Sequence, residues 1–463
     1  MKKIVILTLA AVLVAGTAMS QTIEPFSKGD KVAFVGNSIT EAGYYETYIW
    51  LYYMTHFPDR RVEIRNVGIG GDVSGQIHDR LESDALALDP DAVVITFGMN
   101  DTGYFEYNGD NPGEFADERV EKSYQDFQKI VGQLKAAPKL RKIIMSSSPY
   151  DETMENENNH FSGKSKAMER IVAFQKEEAA KQDWDFVDLY YPMQAINLKG
   201  QKEDPAFTIT GPDRIHPGNG GHLVMAHLFL KAQGLEAPVA EINLDHKSSS
   251  VIKEENATIS NLKVDGEGLS FDYLARSLPY PVDTVSKMWG NEQKQSLALE
   301  VVPFMETFNR EIFQVRNLSA DQNYEVLIDG ESIGKWKGAA FAKGINLAEI
   351  KTTPQYKQAW TVMNLANTIR NIDNKIREYH WVQYNVFKDL DMLFEDDQHA
   401  VEAARKISKE NGFARSKMET YEAMRFEEIR KTYEEQLETV ADVIYKVNRP
   451  IKRKVEIRPV QNN

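Results

Sequence analysis

Four short segments of this 463-residue chain carry residues suited to acyl-transfer chemistry: Gly36-Asn37-Ser38-Ile39-Thr40, Asn66-Val67-Gly68-Ile69-Gly70-Gly71-Asp72, Gly98-Met99-Asn100-Asp101 and Asp213-Arg214-Ile215-His216-Pro217. A serine hydroxyl attacks a carbonyl once a base takes its proton, and an imidazole is such a base near neutral pH. Ser38 and His216 supply that pair. A carboxylate on the second ring nitrogen fixes the tautomer the base needs, and Asp213 lies three residues before His216. The attacked carbonyl becomes an oxyanion, which preorganised N–H donors stabilise. The backbone N–H groups of Ser38 and Gly71 and the side-chain amide of Asn100 offer three. Gly71 has no Cβ, so its backbone can approach a substrate closely. The candidate site is therefore Ser38, Asp213 and His216, with an oxyanion hole of Ser38, Gly71 and Asn100.

Each segment alone is weak. Gly-x-Ser is also an ordinary helix start. Asp-x-x-His is also a structural hydrogen bond or half of a metal site. The Gly70-Gly71 stretch fails the dinucleotide pattern, because Val73 stands where the third glycine belongs. Their positions distinguish them from these ordinary features.

They fall at strand ends. Short apolar runs at Lys31–Val35, Val62–Val67, Ala92–Phe97, Lys142–Ser146 and Asp185–Asp188 read as buried strands. Helical stretches follow at Tyr45–His56, Ser74–Leu88, Phe115–Ala137, Ser165–Gln182 and Gly218–Gln233. Five βα units in succession predict an α/β fold with a parallel sheet between two helical layers. Such sheets bind ligands beyond the carboxyl ends of their strands. Residues 237–350 change character and predict a small antiparallel β domain, with strands at Ala257–Val264, Leu269–Leu274, Ser296–Val302, Ile312–Val315 and Tyr324–Ile328. Residues 351–463 predict a helical region with two long helices. Val362, Leu365, Ile369, Ile372, Ile376 and Tyr379 form one apolar seam, and Ile429, Tyr433, Leu437, Val440 and Ile444 the other. These seams can pack on each other, on the body or on a second copy of the chain. Lys454–Val460 reads as a final strand.

These four blocks, in this order, resemble the SGNH (GDSL-like) hydrolases, whose blocks contribute a Ser, a Gly, an Asn and a His. Ser38, Gly71, Asn100 and His216 match them, with Asp213 three before the histidine. The resemblance covers about residues 28–236. It implies a three-layer, flavodoxin-like catalytic domain over 21–236 and an esterase, lipase, thioesterase or carbohydrate deacetylase activity. The family often has Asp before the serine, whereas this chain has Asn37.

Residues 1–20 read as a signal peptide. Lys2 and Lys3 precede an apolar run, and Ala18-Met19-Ser20 resembles a cleavage site. A secreted or periplasmic protein is expected. The chain has no cysteine, hence no disulfide and no thiolate metal site. Its net charge of −14 argues against nucleic acid as a main partner. No catalytic metal and no cofactor are expected, because His380 and His399 show no partners at metal-ligand spacing. His222 and His227 read as structural residues of the last helix of the first domain.

The loop after Asn100 carries Tyr104, Phe105 and Tyr107, which are candidates for a substrate rim. Polar loops with interspersed aromatics suit sugars, where rings stack and hydroxyls bond. Trp336 reads as a sugar platform or as a packed hairpin residue. The expected activity is deacetylation of a carbohydrate through an acyl-enzyme. A lipase, thioesterase or O-acyltransferase would use the same residues, and a non-catalytic envelope or binding protein could reuse the scaffold.

Overall fold

The computed structural model describes residues 22–288 and 290–460. The signal-peptide reading falls on residues outside that range. The first domain runs β1 (Lys31–Gly36), α1 (Ser38–Glu41), α2 (Tyr45–His56), β2 (Glu63–Gly68), α3 (Ser74–Arg80), β3 (Ala92–Ile95), α4 (Pro112–Ala136), β4 (Arg141–Met145), α5 (Lys164–Gln182), β5 (Asp185–Val187), α6 (Tyr190–Gly200) and α7 (Asn219–Ala232). The sheet order is β2-β1-β3-β4-β5, parallel throughout, which is the flavodoxin-like order. The central β3 is Ala-Val-Val-Ile, buried along its length. A strand covered on both faces reads as a continuous apolar run, as this one does. Helix α6 has no counterpart in the sequence reading.

Next come β6 (Ala240–Asp245), β7 (Ser250–Glu255), β8 (Ala257–Asp265), β9 (Gly268–Ala275), α8 (Ser296–Val301), α9 (Phe304–Phe308), β10 (Glu311–Arg316), β11 (Asn323–Ile328), β12 (Glu331–Lys337), α10 (Gly338–Lys343) and β13 (Ile345–Asn346). They form two sheets, β13-β10-β6-β7 and β12-β11-β14-β9-β8, where β14 is Arg453–Pro459 from the far end of the chain. Two expectations are corrected. The region is not wholly antiparallel, because β10 runs parallel to β6. Ser296–Val302 is not a strand: its apolar residues pack as α8 against α7, and tertiary burial overrides the local preference. Trp336 is half-buried in the β11–β12 hairpin, edge-on to Phe341.

The C-terminal region is α11 (Pro354–Val382), α12 (Gln398–Ser408), α13 (Gly412–Met424) and α14 (Glu427–Val447). The long pair α11 and α14 pack on each other, and α11 also lies on α2 and β2. Every residue of α2 is buried, as expected of a helix covered on all sides. The main hydrophobic core is therefore continuous. It joins Val93 and Ile95 of the sheet, Leu278 and Phe304 of the following segment, and Val362, Ile369 and Ile444 of the helices. The β sheets have a separate core around Phe271, Phe313, Tyr324 and Val455. Among the described residues no helix is long and apolar enough to cross a membrane.

Candidate active site

The chain leaves β1 at Gly36 and turns at once into α1, whose first residue is Ser38. Buried Asn37 caps this helix, its Oδ1 accepting the N–H of Ile39 at 3.0 Å. An amide oxygen serves as well as a carboxylate for this bond, so the cap at position 37 is kept without the charge. Asn66 ties the end of β2 to the same turn. Its Nδ2 donates to Thr40 O at 2.7 Å and to Glu46 Oε1 at 2.8 Å.

Ser38 Oγ lies 2.9 Å from His216 Nε2, and His216 Nδ1 lies 2.6 Å from Asp213 Oδ2. A carboxylate only accepts, so Nδ1 carries the hydrogen and Nε2 is left to accept the serine proton. Asp213 Oδ1 also accepts the backbone N–H groups of Ile215 (3.0 Å) and His216 (2.9 Å). Burial acts to raise its pKa, but the bond and charge of His216 and these N–H groups outweigh it and hold the carboxyl below the usual range. The loop is pinned by Arg214, which is fully buried. Its guanidinium donates to the carbonyls of Asn158 (2.7 Å), Asp151 (2.9 Å) and Asn156.

Gly71 has φ +93°, a conformation that disfavours a side chain. Asn100 faces Asp72 O at 2.9 Å. A carbonyl only accepts, so the facing atom is Nδ2. One of its two hydrogens is thereby used, and the other has no acceptor among the described residues. Tyr104 then donates its hydroxyl hydrogen to Asn100 Oδ1. Beneath this loop Lys164 is buried, its Nζ at 2.6 Å from each of Met99 O, Thr102 Oγ1 and Gly103 O. Burial pushes its pKa well down, against the raising influence of Asp101.

Ser38, Gly71, Asn100 and His216 meet in one cavity of about 620 Å³. Its other walls are Glu41, Ala42, Gly70 and six residues of the C-terminal helices: Asn374, Glu378, Trp381, Asn385, Phe413 and Lys417. The expected rim is corrected here. Tyr104 acts on Asn100, Phe105 is 74% exposed, and Tyr107 is buried edge-on against Phe115. None of the three is among the cavity's lining residues. The helical wall had no signal in the sequence near the motifs, because it comes from about 300 residues downstream. His222 and His227 are buried on α7 among aromatic rings, as structural residues. His399 does have neighbours of ligand type, the exposed Glu395 and Asp397, contrary to the spacing argument.

Fold and cavity place the chain in a known class. A model of the GDSL-like lipase/acylhydrolase family matches residues 34–224, and one of the diltiazem deacetylase C-terminal helical domain matches 360–449. The chain belongs to the GDSL-like family and is an ester hydrolase. The solved structure of a gut microbial diltiazem-metabolizing enzyme is 42% identical over 96% of this chain and 100% of that one, with a TM-score of 0.93. An acetylxylan esterase of Geobacillus stearothermophilus is 26% identical over 226 residues, 45% of this chain and 95% of that protein.

Proposed function

We propose that this chain removes a short acyl group, acetyl first of all, from a compact ring-bearing alcohol. Ser38 is the nucleophile, His216 the general base and then acid, and Asp213 the residue that orients it. The N–H groups of Ser38 and Gly71 and the amide of Asn100 hold the oxyanion. The supporting observation is the Asp213–His216–Ser38 relay, at 2.6 and 2.9 Å, opening into a cavity that Gly71 and Asn100 also line. Ser38 Oγ attacks the ester carbonyl while His216 Nε2 takes its proton. The tetrahedral intermediate collapses, and His216 returns the proton to the leaving alcohol. Water, deprotonated by the same imidazole, then frees the acid.

The cavity's size suits a small ligand rather than a long acyl chain. Trp381 and Phe413 offer ring faces, and Asn374, Asn385 and Glu378 offer polar atoms. An acetylated sugar unit at a chain end fits that lining, and so does another ringed alcohol. The relatives' names, diltiazem-metabolizing enzyme and acetylxylan esterase, support both. Export to the periplasm or beyond is part of the proposal and rests on the pattern of residues 1–20.

The test is hydrolysis of p-nitrophenyl acetate by wild type and Ser38→Ala, followed by acetylated xylooligosaccharides and acetylated aryl alcohols. Turnover lost in the variant supports the mechanism, and turnover retained overturns it. Preference for p-nitrophenyl esters of long-chain acids would overturn the short-acyl reading.

A further inference from the structure

The peptide joining Gly70 to Gly71 lies between two residues without Cβ, so little in the chain itself fixes its orientation. Its carbonyl is nevertheless held. Trp381 Nε1 of α11 donates to Gly70 O at 3.2 Å. No peptide among the described residues is cis. In a trans peptide the C=O and N–H point in opposite directions in one plane. Fixing the Gly70 carbonyl therefore fixes the Gly71 N–H. That N–H has no hydrogen-bond partner among the described residues, and Gly71 lines the cavity beside Ser38 and Asn100.

We infer that Trp381, from the C-terminal helical region, is a positioning residue for the oxyanion hole, its indole N–H locking the Gly70–Gly71 peptide with the Gly71 N–H turned to the substrate. The inference rests on the proposed Ser38 mechanism.

The surroundings are built to keep this contact. Asp373, Arg377 and Trp381 recur every four residues on one face of α11. Asp373 accepts the N–H of Asn66 at 3.0 Å, within the strand β2 that leads to the glycines. Arg377 pairs with Asp84 at 2.8 Å. Lys417 Nζ of α13 lies 5.5 Å from the Trp381 ring centre and 3.0 Å from Glu41. Glu41 Oε2 in turn occupies the space a Cβ on Gly70 would need, 2.4 Å from that position. Trp381 of α11 and Lys417 of α13 thus both reach the glycine loop or its neighbour Glu41, and a catalytic domain without these helices lacks this restraint.

The experiment compares oxo- and thionoesters of one short acyl group, because sulfur accepts hydrogen bonds weakly and the rate ratio reports the strength of the oxyanion hole. Wild type, Ser38→Ala, Trp381→Phe and Trp381→benzothienylalanine are measured in the full chain. The last replaces only the indole N–H by sulfur and keeps the ring's shape, so it stands in if Phe loosens the fold. The expected result is a kcat for the oxoester lower by about tenfold, a KM changed by less than about twofold, and a smaller oxo-to-thiono ratio. Unchanged kcat in the benzothienyl variant, or equal losses on both esters, overturns the role of Trp381. Turnover persisting in Ser38→Ala would overturn the mechanism beneath it, so the two failures are separable.

Discussion

The Tyr104 hydroxyl donates to Oδ1 of Asn100, and Asp72 O accepts from the other end of the same amide at 2.9 Å. Asn100 is held at both ends, so in the proposed mechanism its second N–H is aimed before substrate arrives. Asn100→Ala should lower kcat by about 10²–10³, the usual effect of removing one oxyanion donor. Tyr104→Phe should cost less, about tenfold, because the donor remains but is less well held. The double variant should be no worse than Asn100→Ala, since the two act through one group. Additive losses in steady-state kinetics would show that Tyr104 touches substrate independently.

Asp213 stays ionised through mild acid, because the His216 contacts outweigh its burial. The acid limb of kcat/KM should therefore carry one ionisation, the protonation that stops His216 acting as a base. A log-log slope of one is expected on that limb, and a slope of two would contradict it. Asp213→Asn should lower kcat by about 10⁴ through the wrong tautomer, with normal melting.

Glu311 gives a pH signature of stability away from the site. It is the fully buried first residue of β10, accepting from Tyr273 and Gln355 at 2.9 Å each. Burial pushes its pKa up to about 7 despite those two bonds. The folded state therefore binds a proton that the unfolded state has released. This group's stabilising contribution is full below its unfolded pKa and is lost as pH rises through about 7. The loss is at most about 3 kcal/mol. Urea unfolding at pH 5.5 and 8.5 should show wild type losing stability at the higher pH, with Glu311→Gln flattening that change. An equal slope in both proteins would exclude Glu311 as its source.

The buried cluster joining α11 to the first domain should matter for the whole fold. Arg377 holds Asp84 at 2.8 Å, beside Arg80 at 2.8 Å from the same carboxylate. Breaking such a pair leaves a buried charge partly uncompensated. Arg377→Met should cost about 3–5 kcal/mol in urea unfolding. A loss under about 1 kcal/mol would show that water or Arg80 already satisfies Asp84.

The first domain was legible because its information is local. The apolar runs of β1 to β5 mark strands covered on both faces, and Ser38, Gly71, Asn100 and His216 sit in turns named by their own short segments. Asn37 could be matched to the turn but not assigned its cap until the Ile39 bond was seen. The helical wall of the cavity was not legible. Trp381 lies on a helix whose apolar seam reads only as core, and nothing in such spacing says which body the helix covers; Phe413 lies on α13, a helix with no counterpart in the sequence reading. Tyr104, Phe105 and Tyr107 misled for a related reason: proximity in sequence to Asn100 does not decide whether a ring faces solvent, core or substrate. Ser296–Val302 failed because a seven-residue apolar stretch has no period of its own to defend against packing on α7.

The central claim is that Ser38 is made nucleophilic by His216. The most direct measurement is labelling of the full chain with a fluorophosphonate, followed by peptide mapping, beside His216→Asn. One phosphonylated residue, Ser38, is expected in wild type, with labelling slowed by about 10³-fold or more in the variant. A folded, ester-hydrolysing protein that labels elsewhere, or labels equally fast without His216, would contradict it.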